Sequence, residues 1–242
     1  LKTGTIEQPV LQKKGDNVRI DWGYFYLTGT ANDGAILNFG DYWDTKGAFQ
    51  ANGHISDILP EELSPNIAKE MTVLAYSRDL GKVSSDKKTG FIMLGYDDIY
   101  SIQYFEKNLK GYWTKDGTVD IFQAFKSAET DYASIMKRCD DFNRAMRADA
   151  EKAGGRKYAE LTALAYRQAI AAHKLVKDEN GTLLFFSKEN NSNGSIGTVD
   201  ITYPSSPLFL IYNPELVKGM MNPIFYYSES GKWTKPFAAH DV

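Results

Sequence analysis

The residues best suited to chemistry are packed between Phe186 and Pro207, in the run FSKENNSNGSIGTVDITYPSSP. It holds Glu189, Asn190, Asn193, Asp200 and Tyr203, with Lys188, Gly194 and Gly197 among them. Hydrolysis of an amide or a glycoside needs one group to activate water and another to protonate the leaving group, and paired carboxylates can do both. Glu189 and Asp200 are therefore the first catalytic candidates. Asn190, Asn193 and Tyr203 offer donors and acceptors that could hold a polar substrate. The plainer readings are a loop carboxylate capping backbone N–H groups for Glu189, and a helix N-cap for Asp200.

A second polar cluster ends the chain as Phe-Ala-Ala-His-Asp-Val. His240, of the type that titrates near neutral pH, is a substrate-binding candidate, and Asp241 is a third catalytic candidate that could act as an acid or bind substrate. A frayed terminus is the competing reading. Arg167 could clamp a substrate carboxylate bidentately. Its commoner use is a surface ion pair. His173, alone on an expected helix, reads as structural. The pair Asp97-Asp98 has hard oxygen ligands of the kind Ca²⁺ takes, but neighbouring side chains on a strand point to opposite faces. A turn or a cap suits that pair better.

Several function classes are disfavoured. The chain has no phosphate loop, dinucleotide fingerprint, metalloprotease helix or serine-nucleophile elbow. Its formal net charge of -3 leaves no electrostatic footprint for nucleic acid. No apolar run is long enough to span a bilayer. Cys139 is the only cysteine, so an intrachain disulfide is excluded and a cysteine metal site disfavoured. Neither a cofactor nor a metal is expected. Asn180-Gly-Thr182, Asn190-Asn-Ser192 and Asn193-Gly-Ser195 match the glycosylation pattern.

The elements that must position these residues divide the chain. With 242 residues, 43% of them hydrophobic, it can build one large core or two modest ones. The first part is mainly β. A strand is expected over 17–28, a turn over 30–34, and a strand pair from Lys69–Arg78 and Gly90–Tyr96. Ile99 to Trp113 reads as a strand or an irregular edge. From Ile121, apolar residues recur at Phe125, Ala128, Tyr132, Ile135, Cys139, Phe142 and Met146, which is helical spacing. Gly154-Gly155 should stop that helix. A second helix is predicted with Tyr158, Leu161, Ala165, Ala169, Ala172 and Val176 on one stripe, ended by 177–181. Leu183 to Phe186 reads as a short extended piece, and a third helix is expected within 207–210 or 214–227. The polar run would then be a loop held between rigid helices. These expectations give an α+β chain: a β-rich region over 1–116, then helical hairpins over 117–242.

The segments AYRQAIAAHKLV (165–176), LLFFSKENNSNGSIGTVDITYPSSPLFLIYNPEL (183–216) and KWTKPFAAHD (232–241) resemble the central region of the glutaminase A-like proteins. DWGYFYL (21–27) and YDDIYSIQYFEKNLKGYW (96–113) are similar to the same family in the same order. The resemblance implies a β-sandwich-like part followed by the first hairpins of an (α/α)6 toroid, as in six-hairpin glycosidase-type proteins. It implies a secreted hydrolase that converts glutamine and water to glutamate and ammonia. It also implies that this chain is a fragment whose N- and C-terminal parts complete it. His240-Asp241 resembles a His-Asp pair at the mouth of related toroids. The alternatives are a carbohydrate-active protein and a non-catalytic binding module. In the first two readings the partner is a small molecule, glutamine or a saccharide.

Overall fold

The computed structural model describes residues 1–4, 22–30, 33–60, 71–85, 87–188 and 195–242. The chain is a mixed α+β protein, with antiparallel sheets first and helices after. It forms two compact units, one of 1–6 and 23–97, the other of 7–22 and 98–242.

The first unit holds two small sheets. Strand β1 (Lys2–Thr3) pairs with β2 (Tyr24–Gly29), and β2 pairs with β5 (Ile92–Asp97). Strand β3 (Ile36–Asp41) pairs with β4 (Thr72–Ser77). The predicted pairing of the 69–78 and 90–96 segments is thus corrected: both are strands, but each takes a different partner. The polar stretch between them suggested a hairpin, whereas the pairing actually made brings together segments far apart in sequence. Helix α1 (Tyr42–Asn52) follows β3. Asp41 caps it by accepting from the Trp43 and Asp44 N–H groups, and Gly53 ends it at φ 74. Its side chains bury nothing, so no apolar stripe announced it.

The second unit carries the candidate site. Strands β6 (Ile102–Tyr104) and β7 (Lys107–Leu109) form a tight hairpin. Phe105 and Glu106 at its tip hold φ 48 and φ 66, a left-handed conformation that costs a non-glycine residue roughly 1–2 kcal/mol. After a short 3₁₀ turn (Tyr112–Thr114) comes α2 (Ile121–Ala171), which begins in a capping box between Asp120 and Gln123. The helix breaks at Gly155, whose φ 78 and ψ 179 only glycine adopts readily. Phe142 and Tyr166 then meet at a ring distance of 5.2 Å. A straight helix would hold them roughly 36 Å apart, so the chain folds back there as an antiparallel hairpin.

The stripe predicted on the second arm is corrected in two respects. Tyr158 and Leu161 are exposed, while Ala159 is buried, Tyr166 meets Tyr212 and Ala169 packs toward Phe209. At the start of the arm the inward face is therefore rotated from the one expected, while Ala169 faces inward as predicted. Cys139 on the first arm is exposed too. The arm also stops earlier than predicted. His173–Lys177 is strand β8, paired with β9 (Leu183–Ser187). Asp178 makes the turn between them, accepting from the Asn180 and Thr182 N–H groups. Val176, expected on a helix, is fully buried on β8.

Strand β9 shows how the core is built. Successive side chains alternate between faces. Leu184 and Phe186 join Ile102, Tyr104, Leu109 and Val176 on one side, and Phe185 joins Phe209 and Met220 on the other. Each such side chain contributes about 2 kcal/mol by leaving water. Helix α4 (Pro214–Glu229) approaches so closely that a Cβ on Gly219 would lie 3.1 Å from Phe185 Cβ and 3.3 Å from its backbone nitrogen. Beneath this core, buried Asp98 accepts from Ser101 Oγ at 2.9 Å and from Lys174 Nζ at 2.7 Å.

Two helices close the unit, α3 (Val199–Tyr212) and α4 (Pro214–Glu229). The last part of the run read as a polar loop, from Val199 on, is thus helix, and a strand rather than a long helix leads into it. Pro204 and Pro207 lie inside α3. The hydroxyls of Ser205 and Ser206 donate back to the Ile201 and Thr202 carbonyls.

Candidate active site

Three of the proposed site residues meet at the N-terminal end of α3. The final segment crosses that end, and the Val199 N–H donates to the His240 carbonyl at 2.9 Å. Val242 N–H donates to the Ile196 carbonyl at 3.1 Å, which ties the segment down on its other side. Ala239 is buried, and it anchors the backbone beside His240. This contradicts the frayed-terminus reading.

His240 then sits between two carboxylates. Its Nδ1 lies 3.1 Å from Asp241 Oδ1, and its Nε2 lies 3.7 Å from Asp200 Oδ1. The first distance is a hydrogen bond; the second is too long for one and needs a small movement to close. Asp200 is not the N-cap of α3. Thr198 holds that position, and Asp200 stands in the first turn, where the helix dipole favours a negative charge. All three side chains face solvent. Among the described residues, no group of three or more His, Cys, Asp or Glu side chains is placed to hold a metal ion.

A groove of about 560 Å³ adjoins the cluster, between α3, α4 and the segment before His240. Tyr203, 82% exposed as a residue, lines it, and Phe225 and Phe237 add two more rings. Lys235 supplies a cation there. Sequence reasoning missed Lys235 and Phe237. The signal was their place in the same final stretch as His240.

Arg167 does not join this group. It is exposed on α2 beside Tyr166, which meets Tyr212 at the far end of α3. That helix of 14 residues is roughly 20 Å long. Glu189, Asn190 and Asn193 lie outside the described residues. The stems of their segment, Lys188 and Ile196, pair with each other close to the final segment. His173 is structural, as expected: its ring stacks on Phe185 at 4.4 Å and its Nδ1 lies 2.6 Å from the Ala169 carbonyl.

Comparison with known proteins decides the family. Residues 155–242 match the family described as the glutaminase A six helical-hairpin domain, and residues 1–149 match a domain of unknown function, DUF5127. The chain belongs to the glutaminase A-like family. Over 233 residues it is 31% identical to glutaminase A of Aspergillus oryzae, covering 92% of this chain and 32% of that protein. Over 235 residues it is 31% identical to a probable glutaminase of Arthroderma benhamiae, covering 93% of this chain and 27% of that one. The chain thus spans about a third or less of the length of these glutaminase A-like relatives. No solved structure matches it significantly. The Asp200–His240–Asp241 cluster falls wholly within the six-hairpin match.

Proposed function

We propose that this chain carries part of the active site of a secreted glutaminase that hydrolyses the side-chain amide of glutamine. The observation that carries the reading is the meeting of Asp200, His240 and Asp241 beside a groove that contains a lysine. The names of the two relatives support it. In the same reading, the helices from 155 onward belong to an (α/α)6 toroid.

The chemistry follows from the geometry. Asp241 accepts a hydrogen bond from His240 Nδ1–H, which keeps the proton on that nitrogen and leaves Nε2 as the basic one. Nε2 takes a proton from water as the water oxygen bonds to the amide carbon. The carbon–nitrogen bond then breaks, and the imidazolium returns the proton to the departing nitrogen, which leaves as ammonia. Asp200 stabilises the imidazolium in between. Lys235 pairs with the α-carboxylate of the amino acid. Glu189, Asn190 and Asn193 remain candidates for holding the amide.

A second reading, a carbohydrate-active protein, draws on the exposed Tyr203 ring beside two carboxylates. One assay separates the two. The natural full-length protein is incubated with glutamine and, separately, with soluble oligosaccharides. The glutaminase reading expects ammonia and no new reducing ends; the reverse result replaces it with the second reading.

A further inference from the structure

A second cleft in the same unit takes no part in the site just described. It lies between the β6–β7 tip, the β8–β9 turn and another face of α4, and has a volume of about 360 Å³. That is the size of a small-molecule pocket. Its wall is aromatic. The buried Tyr104 is fixed by donating its hydroxyl to the Pro223 carbonyl at 2.7 Å. Phe105 meets Tyr226 edge to face at 4.8 Å, and Tyr227 at 5.7 Å. Phe105 packs on Tyr104, Tyr226 and Tyr227 at the tip of the β6–β7 hairpin, so the wall is formed before any ligand arrives.

The rim is polar and mixed in sign. Lys107 and Glu179 form an ion pair across it, from the hairpin to the turn. Asn180 and Glu229 stand beside them. Among the described residues, neither the Tyr226 hydroxyl nor the Glu229 carboxylate makes a hydrogen bond. Tyr226 is 57% exposed, so its ring is open to a ligand.

We propose that this cleft binds a neutral sugar ring. A pyranose has an apolar C–H face that stacks on an aromatic ring, and hydroxyls that each give and accept hydrogen bonds. Tyr226 supplies the platform. Lys107 and Asn180 supply donors, and Glu179 and Glu229 supply acceptors. Carboxylates outnumber the single ammonium in the lining, which disfavours glutamate and other anions. Lys107 at the rim opposes an organic cation. The cleft therefore binds a different class of molecule from the groove beside His240.

Saturation-transfer NMR on the full chain tests this, with methyl glucoside, maltose and cellobiose as probes. Glutamine and tetramethylammonium serve as comparison probes. Transfer to at least one sugar is expected. Binding should weaken by roughly tenfold in Tyr226→Ala and measurably in Glu229→Gln, with circular dichroism unchanged. His240→Ala should leave sugar binding intact, and Tyr226→Ala should leave ammonia release intact, so this proposal and the catalytic one fail separately. If Tyr226→Ala does not fold, the Glu229→Gln result decides. The proposal is overturned by no transfer to any sugar, by sugar binding that ignores both cleft variants or is lost only in His240→Ala, or by transfer to tetramethylammonium alone.

Discussion

His173 ties the fold of the second unit to pH. Its Nδ1 contact with the Ala169 carbonyl requires a proton on that nitrogen, so the other nitrogen, Nε2, is buried as a lone pair without a partner among the described residues. Burial pushes its pKa below the ordinary 6.5, against a smaller opposite effect of the carbonyl. The unfolded chain therefore binds the proton first as pH falls. Stability should be full above about pH 6.5 and decline below it, by at most about 1.4 kcal/mol per pH unit. Denaturant unfolding at stepped pH checks this, and His173→Leu should flatten the dependence. Thr198 gives a second test. It is 1% exposed and, among the described residues, its hydroxyl has no hydrogen-bond partner. Thr198→Val keeps the shape and removes the unsatisfied group, so it should raise stability by about 1 kcal/mol, read as a shift in the denaturation midpoint. At this scale the sequence was partly legible. The neighbours His240 and Asp241 could be read as a pair, but Asp200 lies forty residues earlier and only the crossing of the final segment over α3 brings it to them. Arg167 looked equally suited and sits at the wrong end of that helix.

The elements were legible where the signal is local. The onset of helical spacing at Ile121 and the glycine break at 155 mark both ends of the first long helical arm. Gly155→Ala should destabilise the protein by roughly 1–3 kcal/mol, because alanine is strained at φ 78 and ψ 179. Thermal unfolding would show it, and Gly154→Ala makes an instructive partner, since its Cβ would fall 2.6 Å from the Tyr158 ring. The elements were illegible where the partner is distant. HKLVK supports a helical stripe as well as a strand, and its pairing with β9 settles the choice. The same holds for β4 and β5, whose partners β3 and β2 precede them by long stretches. Lys174 shows what such pairing secures. Lys174→Met would leave Asp98 buried with Ser101 as its side-chain partner among the described residues and should cost about 2 kcal/mol, less than for a fully buried pair because the lysine is partly exposed. Chemical denaturation measures that loss, and Asp98→Asn made together with it should recover part of it.

As a whole, the molecule combines two compact units with the match to one family, and its α+β class was readable from the change in periodicity near residue 117. No helix among the described residues is long and apolar enough to cross a membrane. The chain covers about a third or less of its relatives' lengths, so activity belongs to a test on the natural full-length protein. The central claim is that His240, set between Asp200 and Asp241, moves the proton in amide hydrolysis. The decisive measurement is kcat/KM for ammonia release from glutamine by the full-length protein and its His240→Ala and Asp241→Asn variants, each first shown to keep the parent's unfolding midpoint. We predict a loss of roughly 10²- to 10⁴-fold for His240→Ala and a smaller loss for Asp241→Asn. An unchanged rate in folded His240→Ala protein would contradict the account and place the catalytic base elsewhere.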